Sequence, residues 1–425
     1  MIDDKAMSPV FILAPPRSYT SLFSASLGQH PALFGMPELN LFQAVRMEDF
    51  WSGLDENGVQ RSPFWHVMRH GLLRAVAQLY LGEQTYESVR AAERWIRTRA
   101  TMTSGEVYRE LAQKLSPRRI VEKSPGYLRK EEYLARLLET FPQARFIHLV
   151  RHPMGQCLSS LKAKGGKQLL FMLGAVDYRG ATPVLDPQIV WHDSQIRIMN
   201  FLEQLPVEQW VRIRGEDFIM EPAAALQQIC RWLEISDTPE AIEAMLHPEA
   251  SPFSCEGPAN ARLGNDINFL QNPSLTPGRV PDQNLQGALP WRADGATFHP
   301  RVIELAQELG YESTVPVHAE RTPLAPLMWG GRALLDGGNL RFKEVMKDPK
   351  LRSLGEALLK QMKEDFAADQ PENESTKPNG QLGSTSHEEL EKQKQWLEYR
   401  ADILDAMLEE TIASLEQVNS LLRGA

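Results

Sequence analysis

A strand, a turn and a helix near the N-terminus constrain the fold more than any other part of this sequence. Residues 9–13 (P-V-F-I-L) form a short apolar run typical of a buried strand, and the apolar positions from Leu22 onwards predict a short helix that ends at Gly28. A turn between two such elements gathers backbone N–H groups at the positive end of a helix dipole, which favours a bound phosphate or sulfate. The pattern predicts an α/β protein with a central parallel sheet.

Side chains in this turn reinforce the predicted anion site. Arg17 adds a full positive charge, and three hydroxyl donors follow it, namely Ser18, Thr20 and Ser21. The segment is not a Walker A loop, because G-x-x-x-x-G-K-[ST] is absent and no lysine precedes the hydroxyls. Taken alone, it also fits an ordinary strand-to-helix turn capped by a serine or threonine.

A second candidate anion site follows a later apolar run. Residues 146–150 (F-I-H-L-V) predict another buried strand, with Arg151 directly after it and Ser159 eight residues further on. In an open α/β sheet, ligands bind at the carboxyl ends of the strands, where both segments fall. An arginine at that edge and a serine two turns into the next helix can hold one phosphate together. Two such sites indicate a nucleotide with phosphates on both its 5′ and 3′ sides.

Four segments together resemble the PAPS-dependent sulfotransferases. Residues 15–22 (P-P-R-S-Y-T-S-L) resemble their 5′-phosphosulfate loop, P-R-S-G-T-T-L-L, and residues 149–159 (L-V-R-H-P-M-G-Q-C-L-S) resemble their 3′-phosphate motif. Residues 121–127 (V-E-K-S-P-G-Y) resemble E-K-[ST]-P-x-Y, and the pieces 30–31 (H-P) and 37–39 (P-E-L) resemble H-P-x…E-L. The resemblance extends over the sequence up to the helix predicted near 300–309, and it is strongest for bacterial sulfotransferases, including those of polyketide assembly lines.

The resemblance implies both a fold and a sulfuryl donor. The fold would be a P-loop-like three-layer α/β structure, with a parallel sheet of about four or five strands and a helical insertion at 42–115 over the acceptor site. The reaction would move a sulfuryl group from PAPS to a hydroxyl of a small-molecule or carrier-protein-bound acceptor. The donor-binding residues that the resemblance implies are Arg17, Ser18, Tyr19, Thr20, Ser21, Arg151 and Ser159.

Two residues carry the chemistry that the resemblance implies. A glutamate in the position of Glu38 takes the proton of the acceptor hydroxyl in the carbohydrate-directed branch. Lys123 stands on a loop restricted by Pro125 and would stabilise charge on the sulfuryl oxygens. The plainer alternatives are a surface glutamate and a solvated lysine, and the bases to test in place of Glu38 are His66, His70 and His192.

Two positions depart from the family pattern. Tyr19 stands where the donor loop usually has glycine, and Asn40 stands where relatives often have histidine. If position 19 requires a positive φ, a tyrosine there costs about 1–3 kcal/mol. This leaves open a catalytically weak nucleotide-binding or interaction module with the same fold. A P-loop kinase is disfavoured because the Walker A lysine is missing.

Prolines flank a late polar loop at 260–270, and this loop resembles the family loop that closes over the 3′-phosphate. On that resemblance we assign Arg262 and Gly264 to donor binding, with a plain surface loop as the alternative. His66 and His70 stand one helical turn apart, but without a third ligand they predict no metal site.

Composition limits which classes of protein remain possible. The chain has 425 residues, of which 42% are hydrophobic, and its formal net charge of −9 argues against general nucleic-acid binding. Three cysteines without C-x-x-C spacing predict neither a disulfide framework nor a zinc site. Because the chain shows no cationic, apolar leader and no run of about 18 apolar residues, we expect a soluble cytoplasmic protein that binds no membrane.

The C-terminal part differs in composition from the rest. We expect a sulfotransferase domain over residues 1–315, an extension and flexible linker over 316–385, and an amphipathic helix over 386–425. A near-heptad apolar stripe in the last segment predicts an association element, such as a coiled coil for a homodimer or a docking helix for a partner. A helix that packs back on the domain fits the same pattern.

Overall fold

The computed structural model describes residues 8–53, 65–177, 183–278, 280 and 284–311, and four isolated positions, 352, 356, 357 and 360. The strands in these residues are β1 (Val10–Leu13), β2 (Leu33–Gly35), β3 (Arg119–Glu122), β4 (Arg145–Val150), β5 (Val176–Asp177), β6 (Val184–Leu185) and β7 (Trp210–Arg214). Five of them form a parallel sheet in the order β2-β3-β1-β4-β7, and β5 pairs with β6 as a short antiparallel ribbon. The prediction of an α/β fold with a central parallel sheet is confirmed.

Helices flank the sheet on both of its faces. The α-helices of the described residues are α1 (Thr20–Leu27), α2 (Met47–Ser52), α3 (Trp65–Met68), α4 (His70–Leu81), α5 (Tyr86–Arg97), α6 (Ser104–Leu115), α7 (Glu131–Thr140), α8 (Pro153–Lys162), α9 (Gly166–Met172), α10 (Gln188–Leu202), α11 (Gly215–Met220), α12 (Pro222–Leu233), α13 (Pro239–Met245), α14 (Ile267–Gln271) and α15 (Pro300–Glu308). Short 3₁₀ helices lie at Leu41–Gln43, Pro125–Arg129, Val207–Gln209, Pro248–Ala250 and Ala259–Ala261. None of the helices in the described ranges is long and apolar enough to cross a membrane.

The central strand β1 is apolar on both of its faces because helices cover both sides of the sheet. Phe11 and Leu13 belong to the hydrophobic cluster on one side, whereas Val10 and Ile12 belong to the cluster on the other. This alternation is the period of two that a strand requires. Burying each large apolar side chain contributes about 1.5–3 kcal/mol, so a continuous apolar run is favoured at this central position.

The strand order brings the two predicted anion sites together. After β1 the chain crosses to the β3 and β2 side of the sheet, whereas β4 pairs with β1 on its opposite edge. The carboxyl ends of β1 and β4 are therefore neighbours where the strand order changes direction, which is where open α/β sheets bind ligands.

A helical insertion lies between β2 and β3, as predicted for 42–115, although residues 54–64 lie outside the described part. Its helices α5 and α6 begin with reciprocal hydrogen bonds between Thr85 and Ser88 and between Thr103 and Glu106. Such capping boxes satisfy backbone N–H groups that a helix start leaves unpaired.

Two predicted elements have different boundaries in the structure. Residues 32–38 (A-L-F-G-M-P-E) predict a short second strand, but the strand ends at Gly35, so Glu38 lies in the loop beyond it. The loop predicted over 260–270 contains α14, because the Asp266 side chain accepts hydrogen bonds from the N–H groups of Asn268 and Phe269 and begins a helical turn. The predicted segments 316–385 and 386–425 lie outside the described residues, apart from the four isolated positions.

Candidate active site

The turn after β1 has a strained backbone. Tyr19 adopts a left-handed conformation with φ of 61°, and Arg17, two residues earlier, has φ of 70°. L-residues rarely adopt this region, and each instance costs about 1–3 kcal/mol unless the surroundings hold it in place. Position 19 therefore has the backbone conformation that explains a glycine in the family pattern.

Contacts of the Tyr19 side chain hold it in this conformation. Its ring lies 4.0 Å from the guanidinium carbon of Arg151, measured to the ring centroid. On the α11 side it packs against Gly215, where an added Cβ would come within 2.6 Å of the ring. A cation over an aromatic face is worth about 0.5–2 kcal/mol, which offsets part of the backbone strain. Burial raises the pKa of the Tyr19 hydroxyl, so the ring stays neutral.

The two arginines of the predicted anion sites belong to one network. Arg151 donates from Nη1 to the carbonyl oxygen of Arg17 at 2.6 Å, and Arg17 donates from Nε to the Ser159 hydroxyl at 3.2 Å. The Trp191 indole N–H donates to the Arg151 carbonyl at 2.9 Å and fixes that loop. The structure thus brings Arg151 and Ser159 together through Arg17.

Buried polar atoms without partners lie in this network. Ser18 is fully buried, and its hydroxyl has no hydrogen-bond partner among the described residues. The Nε atom of Arg151 is also buried and also has no hydrogen-bond partner among these residues. A buried polar group left unpaired costs about 1–3 kcal/mol. Thr20 and Ser21 are also buried at the start of α1, beside these atoms. The turn therefore fits a phosphate or sulfate that would accept from the unpaired donors.

Asp266 joins this cluster, and our reading of the sequence did not single it out. Its carboxylate forms an ion pair with Arg17, and its N–H donates to the Ser21 hydroxyl at 3.0 Å. Burial and the charge of Arg151 lower the pKa of Arg17 to about 10. An aspartate before the short apolar stretch I-N-F-L was a helix-cap signal that could have drawn attention to it.

The other two predicted donor residues of this loop have different surroundings. Arg262 is half exposed and pairs with Glu256 at 2.6 Å. Gly264 has φ of 107°, and its carbonyl accepts from the Glu38 N–H at 2.7 Å. A Cβ at this glycine would come within 2.8 Å of the Gly71 Cα. The structure therefore places Gly264 beside the predicted base.

Glu38 and Lys123 form an ion pair at the adjoining edge of the sheet. The Lys123 side chain is 1% exposed, so it is not a solvated surface lysine, whereas the Glu38 side chain is 26% exposed. A buried ammonium requires a charged partner, and Glu38 supplies it while part of its own side chain stays accessible. The two sites lie at neighbouring strand ends, because β3, which precedes Lys123, pairs in parallel with β1, which precedes the anion-site turn.

The histidines considered as alternative bases are buried or half-buried. Burial, together with the charges of neighbouring His66, Arg69 and Arg74, lowers the pKa of His70 to about 3, so this ring is neutral. Its Nδ1 accepts from the Leu263 N–H at 3.3 Å, which puts the ring proton on Nε2. His192 is fully buried and lies 3.1 Å from an Asp193 carboxylate oxygen.

Asn40 connects the Glu38 loop to the helical insertion. Its φ of 56° is in the left-handed region, which asparagine tolerates better than most residues. Its side chain donates to the Met68 carbonyl at 3.1 Å and accepts from Gln43 at 2.8 Å. Both side-chain ends are engaged in holding the loop. Among the described residues, no three His, Cys, Asp or Glu side chains are grouped so that they could hold a metal ion.

Comparisons with known proteins agree with the fold. A profile of the sulfotransferase family matches residues 9–239. The chain resembles the solved sulfotransferase domain from the curacin biosynthetic pathway with 25% identity and a TM-score of 0.56, over 72% of this chain and 98% of that one. It also resembles the sulfotransferase domain from the Synechococcus PCC 7002 olefin synthase with 25% identity and a TM-score of 0.52, over 72% and 96% of the two chains. A comparison with curated proteins finds no significant match.

Proposed function

The chain belongs to the sulfotransferase family, and we propose that it transfers a sulfuryl group from PAPS to an acceptor hydroxyl. The observation that carries the proposal is the pair of adjoining sites at the sheet edge. One site gathers Arg17 and Arg151 with unpaired donors, and the other holds a carboxylate against a buried lysine. The first suits the phosphates of the donor, and the second suits proton removal from an alcohol.

The proposed donor contacts follow the arrangement of the turn. The 5′-phosphosulfate end is assigned to Arg17, Ser18, Tyr19, Thr20 and Ser21, and the 3′-phosphate to Arg151 and Ser159, with Arg262 and Gly264 as further candidates from the late loop. When bound, PAPS supplies a sulfuryl group activated by its phosphate leaving group. The chain holds the anions with charge-assisted hydrogen bonds, which are about twice as strong as neutral ones.

Glu38 and Lys123 are assigned to the acceptor side. The exposed face of the Glu38 carboxylate can accept the proton of a hydroxyl placed beside it. Lys123 keeps this carboxylate oriented and contributes positive charge where negative charge develops. Transfer of a sulfuryl group requires mainly positioning and electrostatic stabilisation. Charged side chains that are already fixed in place provide both without having to reorganise during the reaction.

The acceptor is proposed from similarity rather than from contacts. The two solved domains named above come from a biosynthetic pathway and from an olefin synthase. Their likeness supports an acceptor carried by another protein, with a free small molecule as the alternative. We also propose that residues 386–425 mediate a homodimer or bind a docking partner. The sulfotransferase domain is proposed to end near residue 315.

The competing function is a catalytically weak module that binds nucleotide or a partner, which the strained tyrosine in the donor turn favours. Incubation with ³⁵S-labelled PAPS and a panel of hydroxyl acceptors tests the two. Labelled product supports the enzyme, and PAP binding without product supports the module. Phosphate transfer from ATP would overturn both.

Nucleotide choice gives a first prediction. The parent protein should bind PAP far better than 5′-AMP, and Arg151→Ala should remove most of that preference. Loss of this charge-assisted contact is expected to weaken PAP binding about 10- to 100-fold. Titration calorimetry measures both ligands. Arg231→Ala, which removes an exposed arginine paired with Asp237, is the control. Equal affinities of the parent for PAP and AMP would contradict the assignment of Arg151.

The Asp266 carboxylate gives a second prediction. Because this negative charge occupies Arg17, Asp266→Asn should tighten PAP binding about 3- to 10-fold by releasing the guanidinium for the donor. Asparagine also caps helices well, so α14 should persist. Calorimetry against the parent and an Asp237→Asn control measures the change. Weaker PAP binding in Asp266→Asn would show instead that the carboxylate holds Arg17 in its binding position.

A further inference from the structure

A buried carboxylate beside the proposed catalytic pair has no role in the mechanism described so far. Glu122, the last residue of β3, is fully buried. It accepts hydrogen bonds from the Leu39 N–H at 3.3 Å, from the Ser124 hydroxyl, and from the Tyr127 hydroxyl at 3.1 and 3.2 Å to its two oxygens. Hydrogen bonds alone offset the free-energy cost of burying this carboxylate, because none of its three donors carries a charge.

These hydrogen bonds tie together the loops that carry the catalytic pair. Leu39 directly follows Glu38, and Ser124 directly follows Lys123. The Ser124 hydroxyl, which donates to Glu122, also accepts from the Asn40 N–H at 3.0 Å. One carboxylate therefore restrains the backbone next to both members of the Glu38–Lys123 ion pair.

We propose that ionised Glu122 is a positioning residue, which holds Glu38 and Lys123 in reacting geometry, and that proton uptake by Glu122 loosens both loops. This inference rests on the proposed sulfuryl transfer. The physical reason is the direction of the hydrogen bonds. A backbone N–H can only donate, so the Leu39 bond requires an acceptor oxygen. Leu39 and Ser124 both donate to Oε1, whereas Oε2 accepts, among the described residues, only from Tyr127. A neutral carboxyl holds the Leu39 and Ser124 donors more weakly than a carboxylate, because hydrogen bonds to an ionised acceptor are about twice as strong as neutral ones.

Titration near neutral pH agrees with such a role. Burial raises the pKa of Glu122 to about 7, the hydrogen bonds from Ser124, Tyr127 and Leu39 oppose that rise, and the negative charge of Glu38 adds to it. The other titratable groups that act on it are Tyr108 from α6 and Tyr127 from the following 3₁₀ helix. Burial raises the pKa of both phenols well above the usual value, so they stay neutral in this range.

Activity and stability should respond to this proton in opposite directions. Turnover should rise as pH increases through about 7, because ionised Glu122 is the active form. The pKa of Glu122 is higher in the folded protein than its ordinary value, so the folded state binds this proton more tightly than the unfolded state. Its contribution to stability is therefore present at low pH and is lost as pH rises through about 7. A purely structural residue would make turnover and stability fall together.

The test is the pH profile of kcat with labelled PAPS for the parent and Glu122→Gln. We expect the variant to lose the rise near pH 7 and to turn over about 10- to 100-fold more slowly at pH 8, with PAP affinity nearly unchanged. Glu216→Gln is the matched control, because Glu216 is also a buried carboxylate that accepts from a tyrosine hydroxyl. The control should keep the rise in turnover at the same pH.

A second variant keeps the inference testable if Glu122→Gln fails to fold. Tyr127→Phe removes one donor to Glu122 with little change in shape, and should move the rise in turnover to higher pH because that hydrogen bond lowers the pKa of Glu122. An active parent whose rise near pH 7 is unchanged in the variant that folds overturns this inference alone. A parent that transfers nothing from PAPS overturns the proposed function and the inference with it.

Discussion

Replacing Glu38 by glutamine is expected to slow sulfuryl transfer by about 10²–10⁴-fold. The carboxamide keeps the shape of the side chain but cannot accept a proton from the acceptor hydroxyl near neutral pH. It also leaves buried Lys123 without its charged partner. PAP affinity should stay nearly unchanged, because the proposed phosphate contacts lie in the turn after β1 and in the segment from Arg151 to Ser159 after β4. Single-turnover kinetics with labelled PAPS and calorimetry with PAP measure the two effects separately.

A surface carboxylate in the insertion provides the control for Glu38→Gln. Glu93→Gln removes a carboxylate that pairs with Arg97 on the surface of the insertion, and should leave turnover unchanged. Normal turnover in Glu38→Gln would move the proton-accepting role to a histidine. His66 and His192 would then be tested before His70, because the Nδ1 of His70 already accepts a hydrogen bond from the backbone.

Replacing Arg292 by methionine should destabilise the fold by about 3–5 kcal/mol, the usual result of removing one partner from a buried ion pair. Arg292 is 6% exposed and donates from Nη1 to Asp177 at 2.7 Å and to Asp186 at 2.8 Å. Both carboxylates are at least as buried, and they lie at β5 and directly after β6. Without the guanidinium, two negative charges would remain in the interior facing each other.

Urea denaturation of the parent and the variant measures this loss. Arg231→Met is the matched control, because its ion pair with Asp237 is solvent-exposed and should contribute about 0–1 kcal/mol. Adding Asp186→Asn to Arg292→Met should restore part of the stability, since one buried charge is then removed. A loss no larger than that of the control would show that the Arg292 cluster does not stabilise the fold.

Short-range patterns were sufficient to predict the sheet. Buried parallel strands are continuous apolar runs, and the runs at 9–13 and 146–150 became β1 and β4 as expected. The alternating apolar residues of W-V-R-I-R are likewise typical of the edge strand that they form, β7. The left-handed backbone at Tyr19 followed from the glycine that the family pattern has there. These features depend on neighbours in sequence, which a sequence displays directly.

The composition of the site depended on contacts between residues distant in sequence. The pairing of Arg17 with Asp266 joins a turn near the N-terminus to a loop close to the end of the described domain. The hydrogen bond from Leu39 to Glu122 likewise joins two separate strand ends. Neither pair has a spacing that a motif could record.

The sequence by itself determined the order of the strands along the chain, the turn between β1 and α1 and the family, because apolar periodicity and motif spacing are local properties. Only the tertiary structure decided which charges meet. It placed Lys123 in the interior against Glu38, directed two arginines to one network, and enclosed Glu122 among three donors. The physical reason is that the electrostatic energy of a charged side chain depends on its burial and on its partners. Both are set by the packing of segments that are far apart in the chain.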